Sequence, residues 1–132
     1  MPDTLGLAVR HTGERTAVLT VTGDVDLHTA GTLRAYAQDV VQAGAPELVL
    51  DLAGVDFVDS TGLSSLIALL HTTQGAGGWL RLAEVPGRLM RMVTMTGLVQ
   101  VMPVHTTVED ALAGRTPHVV TGDDIDGSTP SD

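Results

Sequence analysis

The chain has 132 residues, 43% of them apolar and 17% charged, enough to bury one compact core and too few for two. Seven arginines and no lysine stand against sixteen acids, a net charge of −9 with three aromatics, Tyr36, Phe57 and Trp79, so neither the basic surface nor the stacking platforms of a nucleic-acid binder are present. Cysteine is absent, which excludes disulfides, thiol catalysis and thiolate metal sites; the apolar runs are too short to cross a bilayer and Met-Pro-Asp-Thr is no leader, so a soluble, cytoplasmic protein without membrane contact is expected.

Leu5 to His11 and Thr16 to Thr22 are β-rich runs, and Thr12-Gly13-Glu14-Arg15 between them has the length and composition of a hairpin loop. Gly23-Asp24-Val25-Asp26 breaks the pattern. From Thr29 onward, Ala30, Leu33, Ala37, Val40 and Val41 mark one face of a helix, with Thr29 as its N-cap and Gly44 and Pro46 beyond its end. Glu47 to Leu52 is short and rich in Leu and Val, the pattern of an inner strand with Asp51 interrupting it, and a short loop is expected after it. Phe57-Val58 lead into Asp59-Ser60-Thr61-Gly62, after which Leu63, Leu66, Ile67 and Leu70 mark a second helical face that Gln74-Gly75-Ala76-Gly77-Gly78 stops.

Trp79 to Ala83 makes a fourth strand. Pro86 suits the first turn of a third helix, turning Leu89, Met92, Val93 and Thr96 inward and closing at Gly97. Val99 to Val104 is expected as the fifth strand, and Thr107 caps a last helix through Val108, Ala111 and Leu112 to Gly114. The order β-β-α-β-α-β-α-β-α predicts an α/β fold whose strands are mostly parallel. Residues 1–115 form the expected domain. From Thr116 to Asp132 there is no periodicity, and Gly, Ser, Thr, Pro and Asp dominate, the composition of a disordered acidic tail.

Two polar segments interrupt the apolar plan, Gly23-Asp24-Val25-Asp26 and Asp56-Phe57-Val58-Asp59-Ser60-Thr61-Gly62, each between the end of a strand and the start of a helix. Such loops share one rim of a parallel sheet, so four aspartates and a serine are expected to meet there. Ser60 either caps its helix by accepting an N–H bond or projects outward beside the cap. A phosphate on it would lie at the positive end of the helix dipole, which the fold tolerates. Phosphoserine adds about −1.5 to −2 charge. Against carboxylates about 6 Å away each unit pair costs on the order of 1–3 kcal/mol at an effective dielectric of about 20–40, enough to lower a partner's affinity roughly ten- to a thousandfold.

Gly23-Asp24-Val25-Asp26 with Ala30 and Leu33, then Leu48-Val49-Leu50-Asp51-Leu52, then Phe57-Val58-Asp59-Ser60-Thr61-Gly62-Leu63 resemble the STAS domain of bacterial anti-sigma factor antagonists, over about Leu5 to Gly114. The resemblance implies a single STAS-like domain: a mixed five-stranded sheet with about four helices. It also implies a partner-switching role in transcription regulation. Members bind an anti-sigma factor that is also a serine kinase, releasing the sigma factor; the kinase phosphorylates the antagonist, and a serine phosphatase resets it.

Ser60 matches the phosphorylation position, and Asp24, Asp26, Asp59, Ser60, Thr61 and Gly62 match the partner-binding surface. Thr61 stands where many members have a second serine, leaving it a minor competing acceptor. ATP and Mg²⁺ belong to the kinase, so no cofactor, metal or catalytic residue is implied for this chain. A STAS scaffold in a larger sensory assembly, a module accompanying an anion transporter, and an enzyme of unknown type are the alternatives.

A serine hydrolase built on Ser60, His28 and Asp24 lacks the Gly-x-Ser-x-Gly elbow. An aspartic protease needs Asp-Ser/Thr-Gly, which the extra residue in Asp59-Ser60-Thr61-Gly62 spoils. Gly75-Ala76-Gly77-Gly78 follows a helix and precedes a strand, the reverse of a phosphate loop. The histidines at 11, 28, 71, 105 and 118 show no i, i+4 pairing, and surface or capping positions are expected for them. Met92 and Met102 read as core, and Met90 and Met95 as lying off the inward face. Asp51 is expected to bond loop backbone at the rim.

Overall fold

The computed structural model describes residues 5–114; the expected disordered tail from Thr116 lies outside them. Strand β1 (Gly6–His11) and strand β2 (Thr16–Val25) form the expected hairpin, antiparallel from Gly6 opposite Thr22 to His11 opposite Ala17. Helix α1 (Ala30–Gln42), strand β3 (Glu47–Val58), helix α2 (Ser60–Gly75), strand β4 (Trp79–Ala83), helix α3 (Gly87–Met95), strand β5 (Val104–His105) and helix α4 (Val108–Ala113) follow. The sheet order is β1-β2-β3-β4-β5, and every neighbour after the first pair is parallel. The expected α/β class with a mixed five-stranded sheet and four helices is what the chain adopts.

A strand order that runs in sequence with right-handed crossovers puts every crossover helix on the same side. The larger core lies there: Leu33, Ala37 and Val41 of α1, Leu66 and Leu69 of α2 and Leu89 and Val93 of α3 pack on Leu19, Leu48, Leu50 and Leu82. The opposite face holds a second, smaller cluster in which α4 lays Val108 and Ala111 on Val18, Val49 and Ala83. Arg81 fastens that helix by donating from Nη1 to the Ala111 carbonyl at 2.8 Å, while its guanidinium lies 3.7 Å above the Trp79 ring.

Several local expectations are corrected. Strand β2 does not break at Gly23-Asp24 but continues to Val25, and β3 runs past Leu52 to Val58, because the two pair along their full length. Register shifts near Thr20/Thr22 and Gly23/Asp24 absorb the polar residues. Gly23 has φ +103° there, a conformation glycine adopts without penalty. Asp51 accepts from Ala53 N–H at 3.1 Å within β3 and not at the rim.

The expected strand Val99 to Val104 is mostly a 3-10 helix (Leu98–Gln100), with only Val104–His105 in the sheet. Leu98 and Met102 are both buried and stand four apart, a helical spacing hidden inside a valine-rich run. On α2 the buried face is Leu66, Leu69 and Leu70, and Ile67 is 39% exposed. Thr96 is exposed, and Met90 packs partly against the core while Met95 faces out. The expectation of surface histidines fails at His105, which is 2% exposed.

Candidate functional site

The parallel register brings the two acid-bearing segments together. Asp24 lies opposite Phe57 and Val25 opposite Val58, so α1 and α2 both begin at one rim, the C-terminal edge of the parallel strands.

Asp59, and not Ser60, caps α2: its backbone is extended (φ −102°, ψ −173°) and its Oδ1 accepts from Gly62 N–H at 2.9 Å. The other oxygen, Oδ2, accepts from Leu27 N–H at 3.1 Å on the β2–α1 turn. The Asp59 N–H donates to the Val25 carbonyl at 3.2 Å. One residue thus closes the helix end and ties it to the neighbouring segment. Gly62 makes the approach possible, since a Cβ there would stand 2.3 Å from the Val25 carbonyl oxygen and 2.8 Å from Val58 Cγ1.

The β2–α1 turn is held by Asp26 and Thr29. Asp26 Oδ1 accepts from the N–H groups of His28 (2.9 Å) and Thr29 (3.2 Å). Thr29 Oγ1 donates to the Asp24 carbonyl at 2.6 Å and accepts from Asp26 N–H at 2.9 Å. The expected N-cap Thr29 therefore makes no capping bond to α1; Asp26 satisfies the exposed backbone donors and Thr29 braces the turn from inside.

With capping assigned to Asp59, Ser60 is the first residue of α2 and is exposed. Its hydroxyl has no partner among the described residues. Thr61 is half-buried and Gly62 buried. Ser65 is unavailable, buried with its hydroxyl donated to the Gly62 carbonyl at 2.6 Å. Asp24 and Asp56 are exposed, Asp26 and Asp59 half-buried, so the open serine stands at an acidic rim.

Two residues missed by the sequence reading belong to this surface. Leu27, 70% exposed, and Phe57, 50% exposed, flank the serine segment with apolar side chains in water. Phe57 is the chain's one phenylalanine, a signal that composition already held.

The sequence profile of the STAS domain matches residues 8–111. The chain belongs to the STAS domain family. An anti-sigma-F factor antagonist of Mycobacterium tuberculosis is 34% identical over 116 residues, 86% of this chain and 91% of that one. The crystal structure of an anti-sigma factor antagonist from Mycobacterium paratuberculosis superposes with a TM-score of 0.76 at 30% identity, covering 86% of this chain and 96% of that one. A Thermotoga maritima protein described as a putative anti-sigma factor antagonist reaches a TM-score of 0.77 at 17% identity, covering 82% and 92%, and shares the fold. STAS relatives of this kind are regulatory proteins and not enzymes. No helix among the described residues is long and apolar enough to cross a membrane.

Proposed function

We propose that this STAS protein is a cytoplasmic anti-sigma factor antagonist that works by partner switching. Unmodified, it binds an anti-sigma factor serine kinase through Ser60, the exposed face of α2 and the Asp24 to Asp26 turn, and the sigma factor is released. Transfer of the γ-phosphoryl group of ATP to Ser60 Oγ, with loss of the hydroxyl proton and departure of ADP, ends the complex. A serine phosphatase restores the hydroxyl by hydrolysis.

The observation that carries this reading is the division of labour between Asp59 and Ser60. A serine that capped its own helix would have to give up a structural bond to be modified. Here Asp59 does the capping, and the exposed Ser60 is chemically available at no cost to the fold. The N–H groups of Ser60 and Thr61 have no acceptor among the described residues, so an added phosphate meets open donors and the favourable end of the helix dipole. The same phosphate adds about −1.5 to −2 charge to a rim that already carries Asp24 and Asp56, on the face where a partner would have to desolvate it.

Incubation with the cognate anti-sigma factor and ATP, followed by peptide mass spectrometry, tests the assignment. One phosphate on Ser60 is expected, with Ser60→Ala abolishing it and Ser60→Asp weakening the complex at least tenfold. Phosphate confined to another residue rejects the reading.

A further inference from the structure

A groove opens between the end of β3 and the start of α3, lined on one side by the residues of β3 that lead into Ser60. Phe57, Val58, Leu89 and Met92 line it, with the exposed Asp56 and Arg88 among its lining residues, and its volume is about 230 Å³. Arg88 Nη1 reaches the Asp56 carbonyl at 3.4 Å and spans the gap between the two elements. The volume lies below the roughly 300–1,000 Å³ of small-molecule sites, so the space suits one inserted side chain better than a free ligand.

The placement of Phe57 is what makes the groove informative. The chain has three aromatics: Tyr36 packs partly on the main core and Trp79 lies under Arg81. The remaining one is half in water at the rim that carries Ser60. Aromatic side chains, phenylalanine among them, are enriched at the cores of protein interfaces, where the binding energy concentrates in a few pockets that close off from water. Around this one the exposed charge is mainly negative, from Asp24 and Asp56.

We infer that the Phe57 groove is the apolar seat of the partner interface: it receives one large aliphatic side chain from a basic segment of the anti-sigma factor, whose cations face Asp24 and Asp56. This rests on the proposed function and adds to it what the partner's docking segment must contain. Ser60 then lies beside a fixed anchor point, and Arg88 at the groove leaves room for an acidic residue next to the inserted side chain.

The test is the affinity of the full chain for the purified anti-sigma factor that phosphorylates it. Phe57→Ser is expected to weaken binding by about 10- to 100-fold, and Phe57→Leu, which keeps an apolar wall, by less than about threefold. Met95→Ser, at the other end of α3 and 85% exposed, is expected to leave binding unchanged. Asp24→Asn with Asp56→Asn should flatten the salt dependence of the affinity. Phe57→Ser binding within threefold of wild type, with Ser60 still phosphorylated, overturns the seat and leaves the switch standing. Self-association of the chain that Phe57→Ser abolishes assigns the groove to a second copy instead. Failure of every variant and of the wild type to bind or be phosphorylated refutes the functional reading and the seat with it.

Discussion

Asp59 reaches across 32 positions of sequence to hold the N–H of Leu27 at 3.1 Å, so the cap of α2 is also the strut between the two loops that define the site. Asp59→Ala removes the acceptor for Leu27 N–H and Gly62 N–H together. The expected loss is about 1–3 kcal/mol in urea unfolding, since an N-cap alone is worth about 0.5–2 kcal/mol. Amide exchange at Leu27 should accelerate along with that at Gly62. Acceleration at Gly62 alone would mean that the strut carries no energy.

Gly62→Ala is expected to be far worse than the same change at an ordinary helical position. Its Cβ has to displace the Val25 carbonyl oxygen, a backbone atom 2.3 Å away, and overpacking of that kind costs about 1–3 kcal/mol. Gly75, with nothing within 4 Å of an added Cβ, is the control. Gly75→Ala should unfold at or above the wild-type temperature and Gly62→Ala several degrees below it; equal midpoints would show that α2 slides without cost.

The acidic rim should set the size of the phosphorylation effect. Replacing Asp24 and Asp56, both exposed, by Asn removes the attraction between the unmodified rim and the partner's cations and relieves the repulsion felt by phosphoserine, and both changes narrow the gap between the two states. The ratio of partner affinities, unmodified over phosphorylated, is expected to shrink by about three- to tenfold in the double variant at low salt. An unchanged ratio would assign the switch to contact at the serine itself.

His105 should make the fold acid-sensitive. Both ring nitrogens are buried without a hydrogen-bond partner among the described residues. Burial first, with Arg81 adding to it and Asp110 opposing, holds the imidazole below its ordinary value of 6.5. In the unfolded chain it takes its proton near 6.5, so between that value and the lower folded one the unfolded state binds more protons and stability rises with pH. The contribution is fully present above 6.5 and is lost as pH falls through the folded value. His105→Leu is expected to flatten the stability profile between about pH 7 and 5, above the range where carboxylates titrate, and to match or exceed wild-type stability at pH 5. The same slope in variant and wild type would place the acid sensitivity elsewhere.

Arg81 should be the main fastening of α4. Arg81→Met keeps the aliphatic stem over Trp79 but loses the bond to the Ala111 carbonyl and the charge above the ring. A loss of about 1–2 kcal/mol is expected, with a shift in emission of the single tryptophan. Unaltered stability and emission would show that Val108 and Ala111 hold the helix unaided.

Where the sequence reading missed, neighbouring elements overrode local pattern. Gly23-Asp24 resembles a strand end, yet β3 offers its backbone alongside, and a bulge accommodates the polar residues. Val99 to Val104 has β-rich composition, but Leu98 and Met102 share one buried side, and two buried side chains outweigh a run of valine propensity. Ser60 and Asp59 are adjacent and both suitable caps; the extended backbone at Asp59 decides between them, a fact of geometry and not of residue type.

The alternation of apolar faces by itself determined the α/β class, the order of elements and the presence of two polar segments at strand-to-helix junctions, because burying apolar side chains at periods of two and 3.6 leaves few other arrangements. Tertiary structure alone decided that Asp59 spends both carboxylate oxygens on backbone and so leaves Ser60 exposed, that Phe57 stands half in water three residues before it, and that His105 of β5 is buried with neither ring nitrogen hydrogen-bonded among the described residues. Each of these depends on contacts between residues far apart in the chain, and no local pattern encodes which hydrogen-bond donor or apolar wall the fold will bring within reach.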